Sequence, residues 1–250
     1  MTLATATARG RRTRPSRGCT SRSPTPIDVS IRARPVAGQL VSGDFWDVFA
    51  VDECTWAVLL GDAIGSGAAA APLAALAHRA ILATAAADGG CSPAAALRHA
   101  NRALLDHGHH DAPLTSAVLA YGRSVNAGLD VAIASAGHVP GLIVRADRVE
   151  TAPVGGPLLG IFDDVAIGSV SIRLARGDAL VLYTDGVTEA RNQIGEMLGD
   201  TGLTESLIRN WGRPAATVTA AVERTALHHG GAAPHHDMAV IAITAPRSGS

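Results

Sequence analysis

Four aspartates, Asp44, Asp62, Asp185 and Asp237, share one setting: each stands at or beside an end of a strongly apolar run, in "VSGDFWD", "LLGDAIGSG", "LVLYTDGV" and "HHDMAVIAI". In the first three the acid also adjoins a glycine, which lets backbone come close to a ligand or take up conformations closed to other residues. An aspartate followed by glycine is equally an ordinary turn starter, its carboxylate accepting backbone N–H bonds. Two readings therefore stand side by side. Either these are four unrelated turn residues, or strand ends from distant parts of the chain converge and bring their carboxylates together. Converging carboxylates oppose one another's ionisation unless a cation neutralises them. Mg²⁺ and Mn²⁺ choose oxygen donors, keep water in several positions and suit phosphate groups, so a converged cluster implies metal-assisted phosphoryl or hydrolytic chemistry.

The elements that would carry these acids are legible in the hydrophobic pattern. "DVSIRARPV" alternates as a half-buried strand does, and "FWDVFAV" and "TWAVLLGDA", parted by the turn-like "DEC", predict an antiparallel hairpin. "GAAAAPLAALAHRAILATAAA" predicts a long alanine-rich helix. Ser92 and Pro93 supply an N-cap and a first-turn proline for a second helix, in which Leu97, Ala100, Leu104 and Leu105 form the buried face. Strands resume in "LTSAVLAYG", "GLDVAIASAG", "GLIVRAD", "DVAIGSVSIRL" and "DALVLYTDG". Helical patterns return in "LTESLIRNW" and "PAATVTAAVERTALHHG", and "DMAVIAITA" closes the set as a strand. Runs of strands separated by paired helices predict an α+β layered fold with mostly antiparallel sheets.

Composition bounds the function. The chain has 250 residues, 47% hydrophobic but only 3% aromatic, and no apolar stretch free of interruption by residues such as Pro72, His78 and Arg79 long enough to span a bilayer. Residues 1–26 carry six of the 21 basic residues, all arginine, and no acid, with no hydrophobic periodicity. They are expected to form a disordered leader, followed by one domain over 27–246 and a flexible tail at 247–250. The body is correspondingly acidic, which with the scarcity of aromatics argues against nucleic-acid binding. Cys19, Cys54 and Cys91 are widely spaced and odd in number, which argues against a disulfide framework and fits a cytoplasmic protein.

The order "SGDFWDVF", "GDAIGSGAAAA", "SAGHVPGLIVR", "GGPLLGIF", "LVLYTDGVTEARN" and "HHDMAVIAI" resembles the metal-dependent Ser/Thr protein phosphatases of the PPM superfamily, in the SpoIIE/RsbU-type branch. The resemblance implies a four-layer α-β-β-α sandwich, two antiparallel sheets flanked by helices, with two Mn²⁺ or Mg²⁺ ions in a cleft at one edge, Mn²⁺ favoured. It implies that Asp62 bridges both ions beside the backbone carbonyl of Ala63, that Asp44 is the acid of the first motif, and that Asp185 is a ligand of one metal. It further implies a phosphorylated STAS-type anti-sigma-factor antagonist as substrate, in bacterial stress or developmental signalling. A separate activator protein is expected in place of the branch's common amino-terminal sensor, with neither a nucleic acid nor a membrane as partner. One position departs from the pattern: where the family has a paired "DD" or "DN", this chain has His236 followed by Asp237, and either would complete the site. That departure favours an alternative, a catalytically weak phosphatase-like module that binds and sequesters a signalling partner.

Other features have plainer readings. "HGHHD" (His107 to Asp111) and the group His228, His229, His235 and His236 are read as loop histidines, and His138 as a satisfied turn histidine. Gly65 and Gly67 are followed by no lysine, which excludes a phosphate-binding P-loop. Glu189 and Arg191 are read as a structural pair, while Arg32 and Arg34 lie on a strand from which they could reach a substrate phosphate.

Overall fold

The computed structural model describes residues 27–245 except 37, 40, 53, 66, 88–91, 108–114, 126–127 and 232–233. The expected leader, the tail and the residues His109 to Asp111 lie outside the described residues, as do Cys19 and Cys91. Among the described residues, ten strands and five helices run in the order β1 (Asp28–Arg34), β2 (Asp44–Ala50), β3 (Thr55–Ala63), α1 (Gly67–Ala87), α2 (Pro93–His107), β4 (Thr115–Val125), β5 (Gly128–Ala136), β6 (Leu142–Val144), β7 (Val149–Thr151), β8 (Ser169–Ala175), β9 (Ala179–Tyr183), α3 (Asp185–Thr188), α4 (Gly199–Arg209), α5 (Ala215–Gly230) and β10 (Met238–Thr244).

The strands form two five-stranded sheets, β1-β10-β9-β6-β7 and β2-β3-β4-β5-β8, with every pairing antiparallel. Side chains alternate across a strand, so each central strand feeds two cores. Trp56, Val58 and Leu60 of β3 meet Leu180 and Leu182 of β9 and Ile241 of β10 in the layer between the sheets. Ala57, Leu59 and Ala63 face the other way, onto α1 and α2. Val181, Tyr183 and Val240 pack under α4 and α5. The result is the expected four-layer α-β-β-α sandwich, and burial on both faces explains why β9 and β10 read as continuous apolar runs.

Two ties seat helices on sheets. Pro214 stands before α5 with no side chain to cap it; instead Asp28 of β1 accepts the Ala215 N–H at 2.9 Å and the Thr244 hydroxyl at 2.5 Å. A carboxylate at a helix N-terminus also complements the positive end of its dipole. On the opposite face, His78 Nε2 of α1 lies 2.9 Å from Asp47 Oδ2 of β2.

Several expectations need correction. Only Ser169–Ala175 of the 164–174 segment and its continuation pairs as a strand, and β7 is too short to have shown a period. Leu105 is half-buried while Leu97, Ala100 and Leu104 are fully enclosed. α1 is, by length and composition, apolar enough over Gly67–Ala85 to cross a membrane, contrary to the sequence expectation; here Ala70, Ala74, Ala77, Ile81 and Ala85 pack into the core beneath it. Cys54, in the β2–β3 turn, is disulfide-bonded, which corrects the reading of the three cysteines as evidence against disulfides.

Candidate metal centre at the edge shared by the two sheets

β2 begins and β3 ends at the same edge, and the antiparallel register places Asp44 directly opposite Asp62. Like charges facing each other across a ladder disfavour pairing unless something holds them there. What holds them is local. The Asp44 N–H donates to Ser42 Oγ at 2.9 Å, and the Ala63 N–H donates to the Gly43 carbonyl at 3.1 Å, closing the strand ends. A side chain on Gly43 would put its Cβ 2.9 Å from the Ala63 carbonyl oxygen and 3.3 Å from Asp62 Oδ1. The glycine therefore leaves room beside the two oxygens that the resemblance assigns to a metal.

The other sheet brings its own acids to this edge. Asp185 opens α3 straight after β9, exposed to solvent, and Asp237 immediately precedes β10. The two segments are pressed together: a Cβ on Gly186 would lie 2.0 Å from the Asp237 carbonyl oxygen. Asp237 turns its carboxylate onto the β1–β2 loop, accepting the Val36 N–H at 2.8 Å and the Gly43 N–H at 2.9 Å. His236 goes elsewhere, with Nε2 3.8 Å from Glu189 Oε2 and more than half of its side chain exposed. It lines a shallow depression with Glu189, Leu227, Pro234, His235 and Met238.

Electrostatics link the four acids. Asp44 is raised to about 8, first by burial, then by Asp62, with further pushes from Asp237 and Asp185; the hydrogen bond from Thr184 acts in the opposite direction. Asp62 is raised to about 6 by burial, then by Asp185 and Asp237. Both side chains keep part of their surface in solvent, yet the surrounding protein and neighbouring carboxylates disfavour their charged forms. An all-oxygen donor set in which two carboxyls, those of Asp44 and Asp62, resist ionisation is one that a hard divalent cation relieves. The donor types and the space beside Gly43 fit such an ion. Among the described residues, no group of three or more His, Cys, Asp or Glu side chains has the arrangement of a ready-made metal cage.

The remaining sequence candidates fall into structural roles. His138 is buried, with Nδ1 2.9 Å from the Val139 carbonyl oxygen, and burial pushes its imidazole pKa down. Arg32 and Arg34 do not face the acids; they bind Glu223 of α5 at 2.5 and 2.6 Å. The Glu189 N–H donates to the Asp185 carbonyl oxygen, and Arg191 donates to the Gly195 carbonyl oxygen. His229 Nε2 sits 3.0 Å from the Glu196 carbonyl oxygen. Sequence reasoning passed over Thr184, whose Oγ1 donates to Asp44 Oδ2 at 3.0 Å. Its place directly between the apolar β9 run and Asp185 is the signal the sequence carries for it.

The α-β-β-α sandwich is the fold of PP2C-type phosphatase domains. The PP2C phosphatase domain of the cell-fate determinant SpoIIE from Bacillus subtilis, solved with a fragment of its regulatory domain, superposes with a TM-score of 0.75 at 18% identity, covering 90% of this chain and 64% of that one. The SiaA-PP2C domain of Pseudomonas aeruginosa gives 0.74 at 21% identity, covering 87% and 84%. Residues 52–246 match the stage II sporulation protein E (SpoIIE) family, and the chain belongs to that family. The phosphoserine phosphatase RsbU of Bacillus subtilis is 27% identical over 169 residues, 67% of this chain and 49% of RsbU. The chain spans about half or less of the length of the curated relatives it matches.

Proposed function

We propose that this chain is a metal-dependent protein phosphatase that hydrolyses phosphoserine or phosphothreonine on a small partner protein. The observation that carries the reading is the meeting of Asp44 and Asp62 from one sheet with Asp185 and Asp237 from the other, whose carboxylates add to the cost of ionising Asp44 and Asp62. Asp44, Asp62, the Ala63 carbonyl, Asp185 and Asp237 would hold Mn²⁺ or Mg²⁺. The bound ions would supply a water of lowered pKa and neutralise phosphate charge. Asp237 is preferred to His236 because its carboxylate belongs to the acid cluster, whereas His236 leans toward Glu189.

The chain's own part is to bind and orient. Gly43 keeps the strand ends open to a ligand, the Asp44–Asp62 pair fixes two carboxylates on one face, and the β1–β2 loop is pinned by Asp237. The reading needs no side-chain nucleophile, in keeping with Cys54 lying in the turn at the other end of β2 and β3. By family resemblance the partner is a phosphorylated STAS-type anti-sigma-factor antagonist in stress or developmental signalling, with a separate protein as activator.

A second reading, a weakly catalytic module that sequesters a signalling partner, draws on one observation, the absence of a ready-made cage among the described residues. Hydrolysis of p-nitrophenyl phosphate with Mn²⁺ and with Mg²⁺ separates the two. The native protein should turn over, and Asp62→Asn and Asp185→Asn should each lose more than the roughly 10–100-fold typical of removing an outer-shell partner. Equal and negligible turnover in all three proteins would leave the sequestering module.

A further inference from the structure

We propose that Thr184 is a positioning residue that fixes the orientation of Asp44 across the gap between the sheets; the inference rests on the metal-centre reading given above. Thr184 occupies the N-cap position of α3, with φ −89° and ψ 157°. A threonine there ordinarily gives its hydroxyl oxygen to a free N–H of the first helical turn. Here it makes no such cap. Its Oγ1 instead accepts the Ala239 N–H at 2.8 Å and donates to Asp44 Oδ2 at 3.0 Å.

The two bonds set each other's direction. A hydroxyl has a single proton, and the Ala239 N–H can only donate, so the threonine proton is left for the carboxylate. The backbone beneath is clamped as well, because the Thr184 N–H donates to the Ala239 carbonyl at 3.0 Å. The side chain is almost wholly enclosed, and its branched Cβ restricts χ1. A rigid donor in the β9–β10 sheet thus aims at an acid in the β2–β3 sheet. Rotation of the Asp44 carboxylate would break that bond. Outer partners of this kind orient metal ligands, and their removal costs about 10–100-fold in metal affinity.

The test separates the hydroxyl from the shape of the side chain. Thr184→Val keeps the shape and removes the donor; Thr184→Ser keeps the donor and removes a methyl. In calorimetric Mn²⁺ titrations of the full chain, Thr184→Val should bind about tenfold or more weakly, with Thr184→Ser close to native. In p-nitrophenyl phosphate assays, the valine variant should regain turnover as Mn²⁺ is raised, so that the apparent metal constant moves and kcat at saturating metal largely does not. If Thr184→Val gives no folded protein by circular dichroism, Thr184→Cys, a weak donor of similar size, should bind more weakly than Thr184→Ser. Native-like Mn²⁺ affinity in the donor-less variant, or an equal loss in Thr184→Ser, overturns the inference while the metal reading stands. A native protein that takes up no Mn²⁺ overturns both.

Discussion

Asp44 and Asp62 hold their protons more tightly in the folded chain, at about 8 and about 6, than in the unfolded chain, where an aspartate titrates at about 3.9. The folded state therefore binds more protons between these limits. Stability from this source is fully present below about pH 4 and is lost as the pH rises through about 6 and about 8. Chelator-treated protein should show a thermal midpoint that falls over that window. Added Mn²⁺ should raise the midpoint more at the upper end than at the lower, because binding requires the acids deprotonated. A midpoint that climbs with pH in the chelated protein would contradict the electrostatic account. At this scale the sequence was informative about residue types and mute about partners. The acids flanked by glycine were visible as candidates, but spacing alone left them as possible turn residues. Arg32 and Arg34 misled because their partner, Glu223, lies nearly two hundred positions away in the chain; an acid on the buried, mostly apolar face of α5 was the available hint.

Among the elements, those with a strong period or a clear cap were readable, and the short ones were not. α1 spans the residues its alanine-rich pattern marks, and α2 starts where Ser92 and Pro93 place it, with the Ala95 N–H donating to Ser92 Oγ. The β2–β3 hairpin followed from two apolar runs around a turn. β7, with three residues, and α3, with four, are too short for a period to register, and tertiary contacts define them. α3 owes its place to Gly186, where the chain passes against the Asp237 carbonyl with no room for a side chain. Gly186→Ala should destabilise the protein by about 1–3 kcal/mol, the usual cost of overpacking, and weaken Mn²⁺ binding by pushing the β9 and β10 ends apart. Denaturant unfolding with a metal titration checks both effects, and an alanine variant that is native-like in each would remove the close approach from the argument.

For the molecule as a whole, the layered class was legible because strand runs and helix pairs alternate along the chain. Which strand lies beside which was not, since sheet order depends on contacts far apart in sequence: β1 pairs with β10, and β9 sits between β10 and β6. The candidate site is divided between the sheets, two acids on each side and a Thr184 hydrogen bond across. Cavities in different core layers should then have different consequences. Ile133→Ala, in the layer between the sheets, and Leu104→Ala, beneath α2, should each cost about 2–5 kcal/mol. Only the first should also weaken Mn²⁺ binding, which calorimetry on the two variants would show; equal metal affinities would sink the distinction. The acids thus act as a gauge of how one sheet is seated on the other. Any slide of one sheet against its neighbour would move Asp44 and Asp62 relative to Asp185 and Asp237 and stretch the Thr184 bond between the layers.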